Sequence, residues 1–192
     1  SEQIEQMESL ESISREVNQC RLCRLSEKRL KTVPGEGNSK SEIMFVGEGP
    51  GAEEDRQGKP FIGAAGKILT KRLASIGLTR DMIYITNIVK CRPPENRLPK
   101  NDEIQACDPY LYKQIRMINP KLICLLGRTA LIALIGGNSI NKERGKFIVS
   151  DNRTFFATYH PAAILRTPSL GRILEQDFDT IKKWLEQRSI IT

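Results

Sequence analysis

The sequence lacks several features that define common protein classes. It contains one histidine and one tryptophan, and 6% of its 192 residues are aromatic. The most apolar stretch, residues 122–135, is interrupted by Arg128, and the first residues do not show the basic-then-apolar pattern of a signal peptide. There is no internal repeat and no low-complexity tract. We therefore expect a cytoplasmic protein without a membrane segment, in which residues 1–192 form a single domain.

The composition allows a folded core and a polyanionic partner. Hydrophobic residues make up 39% and charged residues 28% of the chain, as in globular domains rather than disordered ones. The chain has 30 lysines and arginines against 23 acids, a net charge of +7. A basic surface suits nucleic acid, but many soluble proteins are equally basic. The charge alone leaves nucleic-acid binding open.

Four apolar runs have the composition of buried strands, and helical patterns alternate with them. The strands are predicted over residues 43–46, 83–89, 121–126 and 154–158, and the last pairs with residues 147–149 in a hairpin around Asp151-Asn152. Helices are predicted from the stripe Ile4, Met7, Leu10, Ile13 and Val17, and over residues 65–76, 102–118 with a break or restart near Pro109, 128–134 and 170–185. This alternation predicts an α/β fold with a mostly parallel central sheet.

Polar residues follow three of the predicted strands. Glu48 lies in a glycine-rich loop over residues 47–55, Asn87 ends the second strand, and His160 follows the fourth. The carboxyl ends of parallel strands meet at one edge of a sheet, where ligands of open α/β folds bind. Any imidazole chemistry has to come from His160, because the chain has no other histidine. The pattern predicts a binding pocket; the alternative is a turn-capping asparagine and a structural histidine.

The cysteines indicate a metal centre. Disulfides are disfavoured inside most cells, so the five cysteines need another explanation. Cys20 and Cys23 are separated by two residues, and Cys91 and Cys107 lie further along the chain. Such a set can supply four thiolates to zinc or to an iron–sulfur cluster, and its spacing does not choose between them. Independent core cysteines are the alternative, and Cys124 is predicted to be a buried core residue.

Several motifs together resemble the family 4 uracil-DNA glycosylases, the thermostable type of archaea and bacteria. They are Gly47-Glu48-Gly49-Pro50-Gly51, Phe61, Thr86-Asn87-Ile88-Val89-Lys90-Cys91-Arg92-Pro93-Pro94 with Asn96-Arg97, and His160-Pro161-Ala162-Ala163. The resemblance implies a three-layer α/β/α sandwich around a central four-stranded, mostly parallel sheet. It also implies a [4Fe–4S] cluster held by Cys20, Cys23, Cys91 and Cys107, which ties the N-terminal segment, residues 1–31, to the core.

The resemblance also implies roles for the pocket residues. Removing uracil from DNA requires the base to be flipped out and read by stacking and hydrogen bonds, here from Phe61 and Asn87. His160 is expected to bond uracil O2 as negative charge develops there. Glu48 and Gly49 are expected to line the substrate site. The best-known family of these enzymes has an aspartate and a tyrosine where this chain has Gly49 and Gly51. Either Glu48 or Glu54 then has to help, or the reaction relies on electrostatics supplied by the substrate; we expect Glu54 to act as the electrostatic or water-orienting residue.

DNA contacts are expected around this pocket. Residues 15–31 hold six bases and two acids, which places Arg21 and Arg24 in a basic patch. Gly127-Arg128 opens a helix whose free amides suit a phosphate, although an ordinary strand-to-helix turn would have the same sequence. The residues expected to contact DNA are Arg21, Arg24, Arg92, Asn96, Arg97, Arg128 and the wedge tripeptide Ile164-Leu165-Arg166. We expect a monomer acting on single- or double-stranded DNA that contains uracil; a sliding clamp or another repair protein would be a compatible partner.

Two other functions fit parts of the sequence. A non-catalytic nucleic-acid-binding module with a four-cysteine iron–sulfur or zinc centre would explain the charge and the thiols. It would not explain the polar residues at three strand ends. A family 5 glycosylase, with broader specificity for deaminated bases, is the alternative within the enzyme class, and Asn87 favours family 4.

Overall fold

The computed structural model of the protein describes residues 8–191, and its centre is a six-stranded sheet. The strands are β1 (Glu36–Gly37), β2 (Ile43–Gly47), β3 (Tyr84–Asn87), β4 (Leu122–Leu126), β5 (Phe147–Ser150) and β6 (Arg153–Thr158). Their order is β1-β3-β2-β4-β6-β5; the inner four are parallel, and β1 and β5 pair antiparallel at the two edges. The α/β fold is confirmed, whereas the expectation of four strands is wrong. Strand β1 has two residues, too few to form a hydrophobic pattern.

Helices flank the sheet. They are α1 (Leu10–Asn18), α2 (Ala52–Gln57), α3 (Ala64–Ser75), α4 (Asn101–Ile118), α5 (Arg128–Ile135), α6 (Ile140–Glu143), α7 (Pro161–Arg166) and α8 (Gly171–Gln187). Residues of β2 alternate between two core clusters because successive strand side chains point to opposite faces. Met44 and Val46 pack with residues of α1, α4 and α5, while Ile43 and Phe45 pack with residues of α3 and α8.

Three sequence expectations about helices need correction or limits. The first helix begins at Leu10, where Ser9 and Ser12 form a capping box, and the predicted face residues Ile4 and Met7 lie outside the described residues. Helix α4 continues through Pro109 without the expected break. Because proline has no N–H, the carbonyl of Gln105 loses its helical hydrogen bond. Gln105 and Pro109 are both exposed, so water can bond that oxygen instead. The loop expected over residues 47–55 instead turns into α2 at Ala52.

The hairpin between β5 and β6 is confirmed. Asp151 and Asn152 have φ values of 50° and 62°, the left-handed conformation that a tight two-residue hairpin turn requires. Within residues 8–191, none of the helices combines the length and apolarity needed to cross a membrane.

The parallel register aligns the strand ends that carry polar residues. Gly47 pairs with Asn87, and Leu126 pairs with Thr158, so β2, β3, β4 and β6 finish at one edge of the sheet. Glu48, Asn87 and His160 therefore lie along this edge, as the sequence predicted.

Candidate active site

A cleft of about 880 Å³ opens at the carboxyl edge of the sheet. The sequence-predicted residues that line it are Glu48, Gly49, Glu54, Phe61, Asn87, Asn96, Arg97, Arg128, His160, Leu165 and Arg166. Of the residues predicted to contact DNA, four are not part of the lining: Arg21, Arg24, Arg92 and Ile164. Arg92 donates from Nε to Asn96 Oδ1 at 2.8 Å, and Ile164 packs against the core. The fold thus brings residues from four strand ends to one pocket.

Asn87 presents an unpartnered polar atom to this cleft. It is the last residue of β3 and is 2% exposed, and its Oδ1 has no hydrogen-bond partner within residues 8–191. Gly47 beside it leaves the necessary room, because a Cβ there would stand 2.6 Å from Asn87 Oδ1 and 2.5 Å from Phe61 Cζ. Buried polar atoms are almost always paired, so this oxygen is available to a ligand.

Phe61 is held in an unusual backbone conformation. Its φ is +50°, which costs energy in a residue with a Cβ and persists only when the surroundings enforce it. Arg80 supplies part of that enforcement by donating to the carbonyls of Phe61, at 2.8 Å, and Pro60, at 2.6 Å. Gly66 of α3 approaches the Phe61 carbonyl so closely that no Cβ could fit. The Phe61 ring consequently lies in the pocket, stacked on His160 with ring centroids 5.4 Å apart.

His160 is a neutral imidazole with a defined tautomer. It caps the N-terminus of α7, and its Nδ1 accepts a hydrogen bond from the Ala162 amide at 3.0 Å. The proton must then be on Nε2, which is free to donate. Burial, and next the positive charge of Arg166, lower the pKa of His160 to about 4, and Glu54 opposes that shift. At neutral pH the pocket therefore contains an N–H donor without a positive charge.

The two acidic residues that the sequence predicted for the cleft, Glu54 and Glu48, already have partners. Glu54 accepts three backbone N–H groups, from Gly51 at 3.0 Å, Ile62 at 2.9 Å and Gly63 at 2.7 Å. It therefore joins the loop after β2 to the segment that carries Phe61. Glu48 Oε1 accepts from Thr129 Oγ1 at 2.6 Å. These contacts favour a positioning role for Glu54, and its expected water-orienting role stays a prediction.

The basic residues expected to contact DNA differ in their surroundings. Arg97 donates two hydrogen bonds of 2.8 Å to Glu103, whose side chain is fully buried, and this pair lowers the pKa of Glu103 to about 2. Arg24 pairs with Asp102 and, at 3.9 Å, with Glu103. Among the described residues, Arg128 and Arg166 have no carboxylate partner in hydrogen-bond or ion-pair contact. The guanidinium groups of Arg128 and Arg166 are therefore more available to phosphate than those of Arg97 and Arg24.

The wedge tripeptide divides into an anchored and an exposed part. Ile164 packs against the core, whereas Leu165 is 53% exposed and lines the cleft. Arg166 is also exposed at the cleft. Leu165 is thus the apolar side chain that faces outward beside the pocket.

The four predicted cysteine ligands converge. Cys20, Cys23, Cys91 and Cys107 line one cavity, otherwise formed largely by apolar side chains. Two N–H groups point at sulfur: Arg29 Nη1 at Cys91 Sγ and the Lys90 amide at Cys107 Sγ, each at 3.3 Å.

Burial governs the ionisation of these thiols. It raises the pKa of Cys23 and of Cys91, and that of Cys107 to about 11. Without a bound cation, burial therefore favours the protonated form of these three thiols. Cys124 lies fully buried in the core, as predicted.

Four thiols line the cavity, which is the number of ligands that a structural zinc ion or an iron–sulfur cluster takes. Within residues 8–191, no three histidine, cysteine, aspartate or glutamate side chains are grouped closely enough to hold a metal ion. A single zinc ion would need all four sulfurs at about 2.3 Å from one point. The four cysteines therefore share one cavity without forming a closely grouped metal site among the described residues.

Sequence reasoning missed residues whose roles depend on distant contacts. They are Gly47, Gly66, Arg80, Lys90, Glu103 and Thr129. The glycine at the end of β2 was visible as a signal in the sequence, since an element that ends on glycine allows close approach. Nothing near Arg80 in the sequence indicates that it bonds the backbone of Phe61, 19 residues earlier.

Comparison with known proteins identifies the superfamily to which this chain belongs and then the family within it. Residues 34–186 match the family described as the uracil DNA glycosylase superfamily. A type-4 uracil-DNA glycosylase of Sulfurisphaera tokodaii is 53% identical over 165 residues, which cover 81% of this chain and 75% of that protein. Another, of Saccharolobus solfataricus, is 50% identical over 172 residues, covering 84% of this chain and 80% of that protein. The chain belongs to the type-4 uracil-DNA glycosylase family of this superfamily.

The comparisons also separate the two enzyme types. A type-5 uracil-DNA glycosylase of Pyrobaculum aerophilum is 29% identical over 152 residues, covering 70% of this chain and 67% of that protein. The resemblance to family 4 is therefore confirmed.

Proposed function

We propose that this protein removes uracil from DNA by hydrolysing the N-glycosidic bond, which leaves an abasic site. The observation that carries the proposal is the buried, unpartnered Oδ1 of Asn87 in a pocket with Phe61 and a neutral His160. Family membership supports the same activity. DNA that contains uracil is accordingly the proposed substrate.

Asn87 is proposed to read the base. Its Oδ1 can accept from uracil N3–H while its amide group donates to O4. Cytosine presents an acceptor and a donor in the opposite order, so both contacts would be lost. Unpaired buried polar groups cost about 1–3 kcal/mol each, enough to discriminate strongly between the bases. Phe61 supplies the stacking surface for the flipped base.

His160 is proposed to stabilise the leaving uracil. Bond cleavage places negative charge on the base, and the Nε2–H of His160 can donate to O2 as that charge grows. A neutral donor suits this task because it forms the hydrogen bond without first releasing or gaining a proton. The bond from Ala162 to Nδ1 keeps the required tautomer.

The glycines and acids after β2 are proposed to shape the pocket. A Cβ at Gly49 would stand 2.7 Å from Val89 Cγ2, so the loop here lies directly against the strand end. The Glu54 carboxylate accepts three backbone N–H groups, one of them from Gly51. Of its four acceptor positions, one is left for water or for electrostatic stabilisation of the sugar cation. Glu48 lines the same site as a substrate-binding residue.

The cleft rim is proposed to hold the DNA. Leu165 is the best-placed wedge, since it alone of the tripeptide is apolar and exposed. Arg128 and Arg166 are proposed to bind phosphates, with Arg92 and Asn96 as further contacts. Arg97 and Arg24 contribute first to structure, through their acidic partners.

A [4Fe–4S] cluster is proposed as the cofactor. Cys20, Cys23, Cys91 and Cys107 would hold it, and its role would be to join the segment after α1 to the loop after β3 and to α4. We further interpret the helices on both faces of the sheet as the outer layers of an α/β/α sandwich.

The test is incubation of the purified protein with matched oligonucleotides that contain one uracil, thymine or cytosine, followed by alkali. Scission at uracil alone supports the proposal. Asn87→Ala serves as the matched inactive control, because it removes the carboxamide without adding bulk. Lack of scission by protein with intact visible absorption would overturn the proposed activity.

A further inference from the structure

Lys90 is a lysine in the protein interior. Its side chain is among the largest that are fully buried, and the residue is 1% exposed. Its Nζ donates to Thr86 Oγ1 at 2.6 Å and to the carbonyl oxygen of Asn87 at 2.7 Å. Lysine is almost never fully buried unless it is paired, so its presence at this depth needs an explanation.

The surroundings of this lysine contain no acid to balance it. Both hydrogen-bond acceptors are neutral, and none of the ion pairs among residues 8–191 includes Lys90. A buried cation without an opposite charge is strongly disfavoured.

The cysteine cavity provides the opposite charge. Lys90 lines that cavity, and its backbone amide donates to Cys107 Sγ at 3.3 Å. Thiols become thiolates when they bind a metal centre, and four thiolates bring negative charge next to the lysine. The same side chain donates to the Thr86 hydroxyl and to the Asn87 backbone carbonyl, at the end of the strand that carries the proposed base-reading residue.

We propose that Lys90 is a positioning residue that connects the cysteine centre to the base-reading pocket. Its ammonium balances the thiolate charge on one side, and its two hydrogen bonds fix the strand end that orients Asn87 on the other. Loss of the centre leaves the cation without a counter-charge and releases the strand end. The first half of this inference rests on the proposed cluster and the second half on the proposed activity, and the two can be tested separately because cluster loss is measured without uracil.

The test compares wild-type protein, isolated anaerobically with its cluster, with three variants. Lys90→Met removes charge and hydrogen bonds, Lys90→Gln removes the charge and keeps a donor, and Lys90→Arg keeps the charge. Lys113→Met is the matched control, because Lys113 lies on the helix that carries Cys107 but pairs with Glu8 and Glu16 at the surface. The readouts are the rate at which a chelator bleaches the visible absorption, and single-turnover uracil excision per cluster-containing molecule.

Charge balance predicts that Lys90→Met and Lys90→Gln lose the cluster about tenfold faster than wild type, while Lys90→Arg and Lys113→Met do not. The positioning role predicts that excision falls about tenfold or more in Lys90→Met, which makes neither hydrogen bond. A similar loss is expected in Lys90→Arg, because its larger head group cannot repeat both bonds. The loss should be smaller in Lys90→Gln, which keeps a donor. Free-uracil affinity, measured by calorimetry, should weaken in the same order.

Equal bleaching rates in wild type and both neutral variants would overturn the charge-balance half. Wild-type excision and uracil affinity in Lys90→Met would overturn the positioning half. If Lys90→Met does not fold, Lys90→Gln and Lys90→Arg still separate charge from hydrogen bonding. An inactive wild-type protein with a stable cluster would instead count against the proposed function and leave the bleaching comparison valid.

Discussion

The base pocket and the cysteine cavity lie near each other but are stabilised in different ways. In the pocket, protein groups hold one another: Ala162 fixes His160, Arg80 holds Phe61, and Glu54 accepts three amides. In the cavity, the four cysteines are free and not bonded to one another, and burial raises the pKa of Cys23, Cys91 and Cys107. The pocket is preorganised by hydrogen bonds within the chain itself, whereas in the cavity the link between the four cysteines would come from the proposed cluster.

The largest expected effect comes from breaking the pocket alone. Asn87→Asp replaces the amide donors by acceptors, and the carboxylate should repel both uracil O4 and the departing anion. Uracil excision should fall by roughly 10²-fold or more in single-turnover assays, because the lost contact strengthens in the transition state. A weak activity on cytosine, if present, should grow as the pH is lowered.

The cysteine cavity is the comparison for that variant. Asn87→Asp should retain the visible absorption of wild type, since the pocket does not hold the cluster. Wild-type excision by Asn87→Asp with intact absorption would show that Asn87 is a turn residue.

Breaking the cavity alone should affect stability first. Cys91→Ala should abolish the visible absorption and lower the melting temperature by roughly 10 °C, because a ligand that stabilises the folded state is lost. Excision should fall as well, by about tenfold, through the connection to the strand end. Cys124→Ala is the control, because it removes a buried thiol outside the cavity and should keep the absorption. Full stability and activity of Cys91→Ala would contradict the coupling.

Removing the hydrogen bonds that hold the backbone of Phe61 should reduce uracil excision less than breaking the pocket or the cavity does. Arg80→Met removes the two bonds that hold the carbonyls of Pro60 and Phe61 while keeping the length of the side chain. We expect excision to fall by about tenfold and free uracil to bind more weakly, because the ring loses its fixed position. Arg72→Met, which breaks only a surface ion pair with Glu175, is the control. Equal uracil affinity in both variants would show that the fold alone holds Phe61.

The rim arginines should differ in the kind of effect. Arg128→Ala should weaken DNA binding about equally for all sequences and reduce the salt dependence by about one counterion. Arg97→Ala should mainly lower stability, because it leaves the buried Glu103 carboxylate without its bidentate partner. Salt titrations of duplex binding and thermal melts distinguish the two. A loss of salt dependence in Arg97→Ala without loss of stability would reverse this assignment.

The smallest expected effect is that of pH. Because the folded-state pKa of His160, about 4, lies below its ordinary value, the imidazole stays neutral until the pH approaches 4. Single-turnover excision should therefore show no inflection near pH 6.5 and should decrease only in more acidic solution. The same depressed pKa means that stability is complete above the ordinary pKa of histidine, about 6.5, and is lost as the pH falls from there towards about 4. An excision profile centred near pH 6.5 would show that His160 titrates as an exposed histidine.

Local pattern was enough to predict much of the fold. The four inner strands, the hairpin at Asp151-Asn152 and the final helix follow from runs of neighbouring residues, which the sequence displays directly. The break at Pro109 was predicted and did not occur, because an exposed turn of a helix tolerates the lost hydrogen bond. Strand β1 has too few residues to be recognised before its partner β3 is known.

The sequence by itself determined which chemical groups end the strands: Asn87, His160 and the four cysteines of the cavity. Only the tertiary structure decided what holds them, because those contacts join residues far apart in the chain. Arg80 donates to the Phe61 carbonyl and Arg97 donates to Glu103. Lys90 donates from its amide to Cys107 Sγ and from its side chain to the Asn87 carbonyl. The spacing of residues in the sequence does not predict such contacts, because a buried charge pairs with whichever group the fold brings close to it and shields from water.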